Sequence, residues 1–453
     1  MLGRTAIVVI PTVAVAVTAM VLLGPGAARP AVGVRLRGAP IEGKVLSFRL
    51  EGVRRSYTVE EPMPLDELRV DAVAGGAQLG TWTGNTGPEG VAEVEIVSPV
   101  RVTGQLELLI TRKGRSLLGQ CSVPLRAGAA LGPKIGVVPG TTQGDQPLLL
   151  RVEVARGILA APFPEELRVR VSERGDPDRP VRADLSLSVL GADLFEGPGT
   201  AGAPSNALTL RSDERGPARF TVRPLAHQVD LSITARVGEA AGKWEGTLPV
   251  VPGAIWLDPA AGPTMALVSP APHDRAYLSF WSDAGRIGGA VIPLLRDAQG
   301  FYRGQVTPPS PIGAGPLFAT IAGDPLEQGA GTVAWPITPR EGAVLPRSLE
   351  LLFDGMTSAQ AREETRAAEA RRAGLLVVAA AAIVEVLLLI LRNRSAQKAL
   401  EAHLVEASAE EMSAEDRGKV LKSGRDYPLL RALVAAAVLG LAFAIIAALG
   451  TLR

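Results

Sequence analysis

Residues 373–391, AGLLVVAAAAIVEVLLLIL, carry one charged side chain in nineteen. At about 1.5 Å per residue, a helix of that length matches the roughly 30 Å hydrocarbon core of a bilayer. Two more stretches are of the same kind. Residues 432–449, ALVAAAVLGLAFAIIAAL, contain no charge, and neither do residues 6–23, AIVVIPTVAVAVTAMVLL, which follow Arg4. Backbone polar groups in lipid must be satisfied within the segment, so each is expected as a helix, and three transmembrane α-helices are predicted. Residues 1–28 fit an N-terminal membrane anchor or a cleaved signal. The apolar run is longer than a usual signal core, which favours the anchor.

The segment between the last two apolar stretches, residues 392–431, holds Arg392, Arg394, Lys398, Arg417, Lys419, Lys422, Arg425 and Arg431. Lys and Arg concentrate in short cytoplasmic loops, so this loop is placed in the cytoplasm and residues 25–372 outside it. Arg29, Arg35, Arg37, Arg371 and Arg372 run against that bias, but long domains translocate largely regardless of charge. The expected location is a bacterial inner membrane, multi-pass, with a large periplasmic domain. Residues 358–372, SAQAREETRAAEARR, read as a charged juxtamembrane helix leading into the span at 373–391.

Most of the outer segment alternates apolar and polar residues over short runs broken by Gly, Pro and Asp: GKVLSFRLEGV, VAEVEIVSP, QLELLITRKG, LLLRVEVARG, ELRVRVSERG, ADLSLSVLG and VDLSITARVG. Period two with regular turn signals indicates an all-β sandwich or barrel. One phrase occurs twice. TGPEGVAEVEIVSP at Thr86 and DERGPARFTVRP at Asp213 share the frame Gly-x-Ala-x-apolar-x-apolar, and each is followed by a further strand at nearly constant offset. A fainter third copy, DAQGFYRGQVTPP, starts at Asp297. Repetition at a fixed spacing of this size points to duplicated units: sandwiches at 30–130, 134–252 and 253–347. In the repeat, Gly90 and Gly216 are expected in turn conformations that oppose a side chain, and Ala92 and Ala218 in crowded inward positions.

GAPIEGKVLSFRLEG with the later GVAEVEI, and SDERGPARFTV in the second unit, resemble the strands of bacterial immunoglobulin-like and macroglobulin-type domains. The resemblance implies tandem immunoglobulin-like β-sandwiches, so the expected fold class is mainly β with three membrane helices. Nothing resembles the thioester motif of the macroglobulins, so protease trapping is not implied.

Composition excludes several function classes. With 47 Lys+Arg against 46 Asp+Glu there is no basic surface for nucleic acid. A single cysteine, Cys121, rules out an internal disulfide and a cysteine-based zinc site, and it is expected as a small apolar strand residue. The histidines are His227, His273 and His403, and no His-Glu-x-x-His, Gly-x-Ser-x-Gly or phosphate-cradling loop is present. The chain is therefore expected to be non-enzymatic, with no cofactor and no metal.

Two features remain as candidate sites. AYLSFWSDAGR places Tyr277 and Trp281 on one strand face, either as binding aromatics or as core between sheets. Glu385 is an ionisable group inside an apolar span, where it persists by facing a partner or by staying protonated; Arg431, at the start of the next span, is its candidate intramembrane contact. The partners implied are the lipid bilayer and a protein of the envelope or inner membrane. The function expected is a membrane-anchored envelope protein whose tandem domains bind a protein partner or wall polymer. The alternative is an accessory or sensing subunit of an inner-membrane transport or secretion complex.

Overall fold

The alternating runs become strands with one buried face. The computed structural model describes residues 2–24, 29–56, 59–113, 116–126, 138, 140–142, 146–197, 199–200, 202–214, 216–258, 264–309, 317–338, 346–407 and parts of 434–446. The chain divides into two compact units: one of residues 34–53 and 62–354, the other of residues 1–33, 54–61 and 355–453.

After helix α1 (Leu2–Leu23), the first strands are β1 (Ala31–Gly38), β2 (Gly43–Ser56), β3 (Val59–Pro62), β4 (Leu68–Ala74), β5 (Ala77–Gly84), β6 (Val91–Val102), β7 (Gln105–Arg112) and β8 (Ser116–Pro124). One sheet joins β1, β2 and β3, with β6 on β2; the other has the order β5-β4-β7-β8. Leu46, Phe48 and Leu50 of β2 are buried, as are Val70 of β4 and Leu106, Leu108 and Ile110 of β7. Each such side chain removed from water contributes about 1.5–3 kcal/mol.

The next strands are β9 (Thr141–Thr142), β10 (Leu148–Val154), β11 (Leu159–Ala160), β12 (Glu165–Glu173), β13 (Asp176–Pro180), β14 (Asp184–Leu190), β15 (Ala192–Glu196), β16 (Ala207–Arg211), β17 (Ala218–Pro224), β18 (Asp230–Val237), β19 (Ala240–Thr247) and β20 (Val250–Val251). They form one sheet of order β10-β12-β17-β15 with β13 on β12, another of order β16-β14-β18-β19-β9, and the small pair β11-β20. Leu167, Val169 and Phe220 from the first pack in one core with Leu185, Ile233 and Trp244 from the second.

The third set is β21 (Trp256–Leu257), β22 (Met265–Ser269), β23 (Arg275–Trp281), β24 (Arg286–Pro293), β25 (Leu295–Arg296), β26 (Tyr302–Val306), β27 (Phe318–Ala322) and β28 (Val333–Pro336), in sheets β21-β22-β26-β25 and β24-β23-β27-β28. The three pairs share one connectivity. The repeated phrase is β6, β17 or β26, and it pairs antiparallel with β2, β12 or β22 respectively. The sheet opposite runs β5-β4-β7-β8, β16-β14-β18-β19 or β24-β23-β27-β28. The fold is mainly β, of immunoglobulin-like sandwich type, and the faint third copy is as complete in topology as the first two.

The chain then forms β29 (Glu350–Asp354), which adds to the first sheet beside β1, and helix α2 (Met356–Ala407). No strand is expected at β29 from the sequence, and its partner lies more than three hundred residues earlier. The expected membrane architecture needs correction. Among the described residues one helix, Met356–Ala399, is long and apolar enough to cross a membrane. The apolar part of α1, Val9–Leu23, is shorter and has Pro11 in it, and residues 432–449 are described only in part. Helix α2 runs unbroken through 358–372 and 373–391 to Ala407. Residues 408–431 lie outside the described residues.

In the repeat, Ala92 and Ala218 are both buried, as expected, but the glycines differ. Gly90 has φ +76°, and a Cβ on it would meet Gly52 O at 2.9 Å. Gly216 has neither a positive φ nor a neighbour within 4 Å. Gly90→Ala is therefore expected to destabilise by more than about 1 kcal/mol, and Gly216→Ala to be neutral or stabilising by up to about 1 kcal/mol. Denaturant midpoints of the two variants check this. Cys121 sits half-buried in β8 as a free thiol, and burial pushes it up to about 11. Its alkylation should be slow at neutral pH and climb about tenfold per pH unit below that value, since the thiolate is the nucleophile. A rate that levels off near pH 8.5, the value for a free cysteine, would contradict this.

Candidate functional site

Strand β23 carries the predicted aromatic pair, and both members are covered. Leu278 and Phe280 face the core of the third sandwich. Tyr277 and Trp281 point the other way and are also buried, so neither offers a ring to a ligand. Trp281 packs with Phe318, ring centroids 6.4 Å apart, in a cluster with Ala39 and Leu349, and the Arg347 guanidinium lies over both rings. Tyr277 lies 5.8 Å from the guanidinium carbon of Arg49. The outer face of β23 is thus a joint between the first and third sandwiches.

That joint is built from charge. On β2, the residues alternating with Leu46, Phe48 and Leu50 are Ser47, Arg49 and Glu51, which a lone sandwich would turn to water. Arg49 is instead fully buried. It donates to Glu93 Oε1 at 2.7 Å, to Pro325 O at 2.7 Å and to Leu278 O at 3.1 Å, and it pairs with Glu327 Oε1 at 2.7 Å. Arg286 of β24 donates to Glu93 Oε2 at 2.5 Å, to Ser47 Oγ at 2.6 Å and to Ser279 Oγ at 3.2 Å. Ser279 in turn donates to Glu327 Oε1 at 2.8 Å. Two arginines thus face two carboxylates. Gly289 leaves room for the second pair, because a Cβ there would lie 2.0 Å from Arg286 Nη2. Burial alone would pull the Arg49 guanidinium down, but Glu93 and Glu327 more than reverse it, and Arg49 stays charged. Burial pushes the Glu327 carboxyl up against the opposing pull of Arg49 and Arg286.

A second joint links the second and third sandwiches. Arg156 donates to Glu165 Oε2 at 3.0 Å and to Leu257 O at 2.6 Å, and its guanidinium stands 4.3 Å from the Trp335 ring centroid and 5.7 Å from that of Trp256. Trp256 Nε1 donates to Glu165 Oε1 at 2.9 Å, and its ring stacks on Phe163 at 4.9 Å. None of Arg49, Glu93, Arg286, Glu327, Arg156 or Glu165 stands out in the sequence. The available signal was the pairing of a polar strand face with an unusually arginine-rich composition.

The outer surface is open. A groove of about 530 Å³ runs over β14, β18 and β19, lined by Ser188, Leu190, Asp230, Ser232, Glu245 and Thr247. Leu225 N donates to Gly191 O at 2.8 Å, which puts Leu225, 61% exposed, at the same end of the sandwich as Leu190, 73% exposed. Among the described residues no cluster of three His, Cys, Asp or Glu side chains gathers to hold a metal.

The intramembrane candidates fare differently. Glu385 lies in α2, 6% exposed, and its Oε2 has no hydrogen-bond partner. Arg431 lies outside the described residues, so its pairing with Glu385 stays an expectation. In α2, Leu376, Ile383, Leu387 and Leu391 are exposed, whereas Val378, Ala381 and Glu385 are buried. Glu385 thus sits on the protein-facing row rather than the outward one.

No protein-family model matches the chain, and a search of curated proteins finds no relative. Solved structures that it resembles include a glycosyl hydrolase family 2 member from Bacteroides cellulosilyticus, at 12% identity over 46% of this chain and 23% of that one, TM-score 0.16. The Escherichia coli adhesin FdeC is 13% identical over 72% of this chain and 98% of that one, TM-score 0.17. The native conformation of E. coli alpha-2-macroglobulin is 12% identical over 68% of this chain and 23% of that one, TM-score 0.17. This chain spans less than a quarter of the hydrolase and the macroglobulin and nearly all of the adhesin structure. At these scores the likenesses carry no argument about activity, and the fold assignment rests on the shared strand connectivity.

Proposed function

We propose that this chain is a non-enzymatic, membrane-anchored binding protein whose immunoglobulin-like sandwiches stand outside the cytoplasm of a bacterial cell and engage a protein partner. The observation that carries the reading is α2, the one described helix of membrane-spanning length and apolarity, joined to a large β-body. Lipid-facing aliphatics on α2 and an unbroken helix on either side of the apolar run fit an anchor. Binding rather than catalysis is supported by the buried charges Arg49, Arg286, Glu327 and Glu165, which are engaged in joints between sandwiches. Exposed apolar side chains such as Leu190 and Leu225 suit a protein surface better than a polysaccharide.

The accessory-subunit reading draws its contact from Glu385. The burial of that residue on the protein-facing row favours a role within the chain instead. Two measurements test the proposal. The full chain should stay with membranes through an alkaline carbonate wash and come off only in detergent. In intact cells, Leu190→Cys should react with a membrane-impermeant maleimide, Cys121 serving as the slow internal reference. Release by the wash would remove the anchor, and labelling only after lysis would remove the extracytoplasmic placement.

A further inference from the structure

Helices α1 and α2 run antiparallel, because the end of β1 that follows α1 lies beside the end of β29 that precedes α2, and two contacts set their level. A Cβ on Gly33 would lie 2.7 Å from Met356 Sδ, and one on Gly374 would lie 3.4 Å from Leu22 Cδ2. Moving forward along α2 therefore means moving back along α1. Eleven residues make about three turns and return to the same helix face within about 20°. Eleven residues beyond Gly374 is Glu385, and eleven before Leu22 is Pro11. At about 1.5 Å per residue both lie about 16 Å from the Leu22 contact, at one level and on facing sides. Burial agrees, for the covered rows are Ala14, Thr18 and Leu22 on α1 and Val378, Ala381 and Glu385 on α2.

Each member of this pair leaves a polar group open. Pro11 lies inside α1 and has no N–H, so the carbonyl of Ile7, four residues before it, loses its helical donor. In apolar surroundings neighbouring helices commonly satisfy such a carbonyl. Glu385 holds a buried carboxyl oxygen with no partner. Among the described residues no cation stands at its level; Arg431, which precedes the stretch whose Phe443 lies 3.4 Å from a Cβ on Gly374, is outside them. Residues 5–23 and 432–449 contain no charged residue, and on α2 the nearest, Arg372 and Arg392, are exposed and thirteen and seven residues away.

We propose that Glu385 is held as the neutral acid and donates its O–H to the Ile7 carbonyl freed by Pro11, a proton-dependent clasp between α1 and α2. Loss of the proton would leave a carboxylate facing a carbonyl oxygen in an apolar seam, which the seam opposes. Binding one proton therefore closes the helix pair, and ionisation opens it.

Infrared spectroscopy of the full chain in lipid nanodiscs tests this. At neutral pH a carbonyl band of a protonated carboxylic acid is expected, lost in Glu385→Gln and shifted to higher frequency in Pro11→Ala, where residue 11 takes back the Ile7 carbonyl. Absence of the band, or a band unmoved by Pro11→Ala, overturns the clasp. A second readout is disulfide formation in a Leu22→Cys, Gly374→Cys chain. Glu385→Gln, which keeps a donor, should leave the yield intact, whereas Glu385→Leu should cut it several-fold; equal yields overturn the proposal. The inference rests on α2 lying in a membrane. A chain that washes off membranes defeats that reading, while one that stays and shows no band defeats the clasp alone.

Discussion

Arg49→Ala should lower the unfolding free energy by about 3–5 kcal/mol, the cost of leaving a buried charge without its partner. The truncation removes the guanidinium that pairs Glu93 and Glu327 and bonds two backbone carbonyls of the third sandwich. Glu327 would remain enclosed with Arg286 as its remaining cation. Denaturant unfolding of the detergent-solubilised chain, followed by tryptophan fluorescence, measures the loss. Replacing both partners, Arg49→Met with Glu327→Leu, should recover most of it, because well-packed apolar groups can substitute for a buried pair at little net cost. A single-variant loss below about 1 kcal/mol would mean that the pair behaves as a solvated surface bridge.

Arg156→Ala should cost about as much, about 3–5 kcal/mol, by stranding Glu165 under Trp256. Burial already pushes the Glu165 carboxyl up, and Arg156 is the cation that opposes this. Arg156→Lys separates charge from shape. An ammonium keeps the charge but loses the planar fork that reaches Glu165 and Leu257 O together, and it stacks less well between Trp256 and Trp335. A loss of about 1–2 kcal/mol is expected for the lysine variant, on the scale of a desolvated cation–π contact. Equal losses for Lys and Ala would assign the joint wholly to the guanidinium geometry. The second and third sandwiches should also part more readily, read as faster proteolysis in the Leu248–Asp258 connection.

The alternation of β2, β6, β12 and β17 was legible because each strand buries one face in its own sandwich, and period two reports that burial directly. Ala92 and Ala218 were legible for the same reason. Arg49 was not, since it occupies the polar phase of β2 beside Glu51 and reads as solvent-facing; its burial comes from a sandwich some 230 residues further along the chain. For Trp281 the sequence offers core between sheets as one of two readings, but not the residues that cover it, Phe318 and Leu349. β29 escaped notice because its hydrogen bonds go to β1, 319 residues earlier at Arg35 and Asp354, where no local turn signal links them. Glu385 stood out in the sequence through the cost of a carboxyl in an apolar run. Its companion Pro11 did not, because only the antiparallel packing of α1 and α2 puts the two at one level.

The β1–β29 ladder also has a mechanical consequence. The strands are antiparallel, with Arg35 opposite Asp354 and Gly38 opposite Glu350. The end of β1 that leads back to α1 is therefore the same end of the ladder from which β29 continues into α2. Were the body loaded against both helices, the two connections leaving the ladder side by side would take up tension in the same direction, and the rungs between them would be neither sheared nor unzipped. Removing one tether changes the loading mode. Proteolysis between α1 and β1 would route all the tension through β29, an edge strand with four paired positions, whose rungs would then be loaded together in shear.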